Sequence, residues 1–186
     1  MQRFARGDAG AFEVLYDRHH MGTWRFIFRS VRIQAVADDL LQDVWFSVAR
    51  SAASYVPSAK FRTWLFTMAH NRVVDYARAN KNTLSLDGQS GAGDGPSPLS
   101  DYVPELFANS GFGPMQQLQS KEQALSLLQA IEQLPTEQRE AFLLQVEAEM
   151  SVTEIAEATG VSFETAKSRL RYARNRLRET LQEYCA

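Results

Sequence analysis

Between about residue 80 and residue 120 the chain reads NKNTLSLDGQSGAGDGPSPLSDYVPELFANSGFGP. Gly, Ser, Pro, Asn and Asp crowd this tract, and a stretch of that composition makes a linker and not a packed element. Apolar residues recur at helical spacing on both sides of it. No segment alternates with a period of two, and the Asp87-Gly88 and Asp94-Gly95 pairs fall inside the tract instead of between β-branched runs. The expected fold is therefore all-α: two small helical domains joined by a flexible linker, with domains at 1–80 and 120–186 and the linker at 81–119. Tyr102, Val103, Leu106 and Phe107 form an apolar island in the linker, read as a short segment that docks on a neighbouring surface.

Bulk properties exclude several classes. The 186 residues are 45% hydrophobic and 23% charged, the make-up of a water-soluble globular protein. The chain has no apolar run of membrane-spanning length, and its first residues lack the apolar core of a secretory signal, so no membrane insertion is expected. One cysteine, Cys185, cannot close an internal disulfide, and with His19, His20 and His70 it makes no recognisable metal cluster. These features point to a reducing, cytoplasmic setting. No cofactor is expected. His19-His20 has no carboxylate or thiol spaced to complete a site, and GAGDG lacks the strand and the Lys-Ser/Thr of a phosphate loop, so an enzyme is not expected.

The net charge of −2 argues against a nucleic-acid partner until its distribution is considered. Residues 1–79 hold 11 Lys/Arg and 7 Asp/Glu. Near the C-terminus, Lys167, Arg169, Arg171, Arg174, Arg176 and Arg178 run without an intervening acid. Phosphates respond to such local clustering more than to the total.

That basic run lies on a helix with a defined start. Ser151-Val-Thr-Glu154 is a capping box, Gly160 supplies a sharp turn, and Ser162 caps a second helix reaching Arg178 or beyond. Two helices about a short Gly turn form a helix-turn-helix. On the second, Ala166, Leu170, Ala173 and Leu177 share the stripe that faces a core. Lys167, Arg171, Arg174 and Arg178 flank the stripe on one side, with Arg169 and Arg176 on the other. Glu164, Thr165, Ser168, Tyr172 and Asn175 face outward. Small polar groups toward base edges, with guanidiniums toward both phosphate ridges, suit a helix in a major groove. Upstream, Leu125, Leu128, Ile131 and Leu134, then Phe142, Leu143, Leu144 and Val146, read as core.

In the first domain, Phe12, Leu15, Tyr16, Trp24 and Ile27 suggest one or two helices. Another spans roughly 36–52 and presents Asp39, Gln42 and Asp43 on an acidic-amide face. A helix from Phe61 to Ala79 turns Leu65, Phe66, Ala69, Val73, Tyr76 and Ala77 inward, and Lys60, Trp64, Thr67, Asn71, Asp75 and Arg78 outward. Two readings of Trp64 stand open. It is a stacking platform beside the track of Lys60, Arg62, Arg72 and Arg78, or it is covered by the preceding loop.

Three segments together carry a resemblance: DDLLQDVW (Asp38–Trp45), KFRTWLFTMAHNRVVDYAR (Lys60–Arg78), and LPTEQREAFLL (Leu134–Leu144) followed by EIAEATGVSFETAKSRLRYARNRLRE (Glu154–Glu179). In this order across a linker they resemble the extracytoplasmic-function (group IV) sigma factors of bacterial RNA polymerase. The resemblance implies a sigma region 2 domain and a sigma region 4 helix-turn-helix domain. It implies binding to core RNA polymerase and promoter-specific transcription initiation, for a stress or envelope response. By resemblance Asp39, Gln42 and Asp43 contact the polymerase clamp. The loop Ser54–Lys60, with Tyr55, captures a flipped non-template base, and Phe61 and Trp64 support melting at the minus-ten element. Thr165, Lys167, Ser168, Arg169 and Arg171, with Tyr172 and Arg174 beside them, engage the minus-thirty-five duplex. An anti-sigma factor is a further implied partner. Ala166 departs from the family's commoner Val, and the linker is on the long side. The competing reading is an autonomous helix-turn-helix regulator that binds duplex DNA without polymerase. It leaves Asp38–Trp45 and Lys60–Arg78 without a role.

Overall fold

The computed structural model describes residues 1–87 and 124–185, all of whose regular elements are helical. The elements are α1 (Gln2–Ala5), α2 (Ala9–Val31), α3 (Gln34–Arg50), a 3-10 turn (Ala52–Ser54), α4 (Phe61–Asp87), α5 (124–132), α6 (Thr136–Ala148), α7 (Val152–Thr159) and α8 (Phe163–Cys185). The apolar island and most of the expected linker lie outside the described residues. The chain divides into two compact units, one drawn from Met1–Gly93 and Leu143–Ala166, the other from Asp94–Phe142 and Lys167–Ala186. Helices α6 and α8 each run across that division.

Local chemistry sets most helix ends. The Asp8 carboxylate accepts the Ala11 N–H at 3.2 Å and starts α2, satisfying one of the orphan donors of a first turn. The apolar positions of the first domain that suggested one or two helices lie on this single helix. Arg32 ends it in the left-handed region, donating its N–H to the Phe28 carbonyl at 2.7 Å. The Ser151 hydroxyl accepts the Glu154 N–H while the Glu154 carboxylate accepts the Ser151 N–H, the reciprocal cap expected for α7. Gly160 ends α7 at φ +67°, as the sequence requires. Ser162 Oγ accepts from Thr165 N–H at 3.1 Å and opens α8.

In the first unit α2, α3 and α4 pack on one another. Phe26, Ile27, Val44, Val48, Leu65, Phe66 and Ala69 are completely buried. Each large apolar side chain so buried contributes about 1.5–3 kcal/mol. The Phe26 and Phe66 rings meet edge-on at 5.6 Å, and the Trp24 indole donates to Asp38 at 2.7 Å, tying α2 to α3. Phe12 and Tyr16 cover Trp45 at 5.7 and 5.0 Å. Helix α7 lies against α4 within this unit. In the second unit Ala130, Ile131, Leu134 and Ala141 are buried, and the buried Arg139 donates to the Glu132 carbonyl across the α5–α6 turn.

The structure departs from the sequence reading in three places. Helix α4 continues to Asp87, beyond Ala79 and past the start of the expected linker; residues 80–87 contain neither Pro nor Gly to stop it. Ala77, assigned to the core side of that helix, is exposed, while Val73 one turn earlier is buried. Val146, assigned to the core, is 53% exposed: Leu143 and Leu144 already take the buried side of α6.

Among the described residues, two other than glycine, Arg32 and Glu149, hold positive φ. Glu149, just past α6, has φ +54°. A side chain other than Gly, Asn or Asp in that region carries strain of roughly 1–2 kcal/mol.

Candidate polymerase and nucleic-acid interfaces

The acidic-amide face lies along α3. Asp39, Gln42 and Asp43 are all exposed, while Val44, Trp45 and Val48 on the opposite side are buried. Beside Asp39 and Gln42 opens a cleft of about 580 Å³, walled by Phe12, Tyr16, Trp45 and Phe46. Phe46 is 57% exposed. Sequence reasoning missed it; an aromatic residue out of phase with the buried stripe of α3 was the available signal.

Beyond α3, the 3-10 turn and residues 55–60 lead into α4. Here the two readings of Trp64 resolve into a mixture. Trp64 is half-buried, with the Tyr55 ring of the preceding loop against it edge-on at 4.9 Å and Phe61 tilted beside it at 5.8 Å. The loop covers one edge of the indole without sealing it. Tyr55 and Phe61 also border a cleft of about 690 Å³ with Arg3, Val14 and Leu15. Helix α1 thus borders a site whose sequence signals begin only at Ser54. His19 packs on Phe61 at 5.4 Å, and burial, then Arg62 and Arg18, push its pKa below the usual histidine value. His20 stacks on Tyr16, with its Nδ1 2.9 Å from the Tyr16 carbonyl.

The cations near Trp64 are not an open row. Lys60 and Asn71 are exposed. Arg62 pairs with Glu149, Arg72 donates to Ser47 Oγ at 3.0 Å, and the exposed Arg78 stands 3.9 Å from Asp75. Arg72 therefore braces α4 on α3 as well as facing solvent. The Arg62 guanidinium, by hydrogen bond and then by charge, holds the Glu149 carboxyl below its usual range. Beside them Thr63 is buried and donates to the Glu154 carboxylate at 2.8 Å.

Helix α8 is arranged as the sequence predicts. Ala166, Leu170, Ala173 and Leu177 are buried. Thr165, Lys167, Arg171, Tyr172 and Arg174 are exposed, and Ser168 and Arg169 are intermediate. The Arg171 guanidinium lies 5.0 Å from the Tyr172 ring centroid, and Arg169 reaches Glu137 at 3.5 Å. Side chains of opposite character thus occupy opposite sides of one helix.

Two family profiles match the chain: Sigma-70 region 2 over residues 15–83, and Sigma-70, region 4, over 124–177. The RNA polymerase sigma factor CarQ of Myxococcus xanthus is 33% identical over 98% of this chain and 96% of its own. The ECF RNA polymerase sigma factor SigW of Bacillus subtilis is 26% identical over 98% of this chain and 95% of its own. Among solved structures, the sigma factor RpoE of Bartonella quintana, in complex with the anti-sigma factor NepR, superposes with a TM-score of 0.69 at 24% identity, covering 92% of this chain and 97% of that one. With both regions present in order and one relative above 30% identity along nearly its whole length, the chain belongs to the extracytoplasmic-function RNA polymerase sigma factors.

Proposed function

We propose that this sigma factor binds core RNA polymerase through Asp39, Gln42 and Asp43, holds the minus-thirty-five duplex with α8, and captures unpaired minus-ten bases at the Tyr55–Trp64 aromatic cluster. The observation that carries the reading is the pairing, in one chain, of an aromatic platform on α4 with a basic, outward-facing helix on α8. The domains correspond to region 2 over 1–80 and region 4 over 120–186, with the intervening segment as a tether. The two matched regions support these limits. Thr165, Ser168 and Arg171 would read the groove, while Lys167, Arg169 and Arg174 would grip phosphates, with Tyr172 alongside. Lys60, Arg62, Asn71, Arg72 and Arg78 would follow the separated strand.

Coupling makes the mechanism. The duplex grip positions the upstream element, and extracting a base from the stack costs a few kcal/mol. Stacking on Tyr55, Phe61 and Trp64 recovers about 1–3 kcal/mol per base. Polymerase tethers both domains, so affinities that are weak separately combine. Among the described residues no helix is long and apolar enough to cross a membrane, and we place the protein in the cytoplasm with its polymerase. The RpoE structure contains an anti-sigma factor; a partner of that kind is proposed here too. The autonomous-regulator reading is not favoured, since region 2 accounts for the segments it leaves idle.

Transcription reconstituted with core polymerase on a promoter library tests the proposal. The expected result is initiation from a specific promoter class only when both proteins are present. Tight, specific promoter binding by the free chain in a gel shift would refute the division of labour.

A further inference from the structure

The end of α6 and the start of α7 carry Glu147, Glu149 and Glu154, and all three meet cations or donors on α2 and α4 of the same compact unit. Arg25 and Arg29 sit one turn apart on α2, and both reach one carboxylate. Arg25 Nε lies 3.1 and 3.3 Å from the two Glu147 oxygens, Arg25 Nη2 lies 2.8 Å from one of them, and Arg29 Nη1 lies 3.4 Å from the other. Two guanidiniums forked on an oxyanion is the arrangement that also suits a phosphate. Arg62, next to the aromatic platform, holds Glu149, and Thr63 donates to Glu154.

We propose that this acidic turn is an internal stand-in for nucleic-acid phosphate: in the free chain its carboxylates occupy Arg25, Arg29 and Arg62, and separated-strand DNA must displace them. The proposal rests on the nucleic-acid reading of α4 and adds Arg25 and Arg29 to the phosphate track.

Two further observations favour a mask over simple docking. Glu149 keeps its side chain at φ +54°, where Gly or Asn would relieve the backbone. Arg32 shares that backbone region as the C-cap of α2; at Glu149 the strained residue also carries the Arg62 pair. The two ion-paired carboxylates are also graded. The Glu147 side chain is 9% exposed and anchors the turn, whereas Glu149 is 73% exposed. An exposed pair is weak and salt-screened, so it yields readily to a competing polyanion.

The test is binding of a fluorescent short oligothymidylate to the full chain without polymerase, by anisotropy at low and high salt. Glu147→Gln combined with Glu149→Asn should bind roughly tenfold tighter than the parent, as expected if only about a tenth of the parent is unmasked. The gain should shrink as salt rises. Glu149→Asn alone guards against misfolding: it changes an exposed side chain to one that tolerates this backbone region, and it should give part of the gain. Unchanged or weaker binding by a folded Glu149→Asn variant overturns the mask. A parallel transcription assay with core polymerase reports on the proposed function separately. No transcript from parent or variant sinks that reading, while the oligonucleotide arm still decides whether the turn competes for the arginines.

Discussion

Helices α4 and α8 both present basic faces, and they differ in what lies among the cations. On α4, Arg62, Arg72 and Arg78 each meet an oxygen of the chain, and Trp64 is half-covered by Tyr55. On α8, Arg169 meets Glu137 and Arg171 the Tyr172 hydroxyl, with exposed Lys167 and Arg174 around Thr165. A face for duplex DNA can be preformed, because B-form phosphates are present before binding. A face for unpaired bases has no ligand until strands separate, and an uncovered aromatic and cationic surface would attract other partners meanwhile. The contrast fits a polar surface ready for a duplex and an aromatic one that stays part-covered until its substrate appears.

Mutations can break or sharpen that contrast. The largest effect is expected at Phe66→Ala, which empties a fully buried site against Phe26 on the core side of α4. Denaturant unfolding should show a loss of about 3–5 kcal/mol. Trp64→Ala should cost less stability but slow strand opening by the equivalent of about 1–3 kcal/mol, measured as open-complex formation with holoenzyme. Equal opening rates would remove the stacking role and leave α4 merely structural. On the other face, Arg171→Ala should weaken minus-thirty-five duplex binding by about 1–3 kcal/mol if it touches a base, whereas Lys167→Ala should lower the salt slope by about one. A uniform loss from both would mean that α8 grips without reading.

The smallest effects concern the cap of α7. Ser151→Ala should cost about 1 kcal/mol, read by thermal unfolding. Glu154→Gln should lose a similar amount at neutral pH. The Glu154 carboxyl is held below the usual carboxylate range, chiefly by the Ser151 N–H, then by the Thr63 and Ser151 hydroxyls. A carboxyl lowered on folding stabilises fully above its unfolded pKa and loses that contribution as pH falls through the folded one. The gap between parent and Glu154→Gln should therefore close in acid; a constant gap at all pH values would remove the carboxylate from the cap's account.

Local features carried the sequence reading where it succeeded. The Ser151–Glu154 box, Gly160, the Ser162 cap and the Ala166–Leu177 stripe each depend on neighbours within a turn or two, and spacing alone exposes them. The same holds for Asp39, Gln42 and Asp43, which face away from Val44 and Trp45. Phe46, α1 and the Arg25–Arg29 pair were not legible in this way, because what each borders or pairs with is distant in the chain.

Taken alone, the order of residues determined an all-helical protein, its capped turn and a helix with one buried stripe and a basic outer face, since hydrophobic period and backbone caps act over a few residues. Only tertiary structure decided that Tyr55 half-covers Trp64, that Arg72 braces α3, and that Glu147 and Glu149 meet arginines of α2 and α4. A side chain's periodicity specifies which side of a helix it occupies. Which oppositely charged group arrives there depends on how separate helices pack, and no local pattern encodes that pairing.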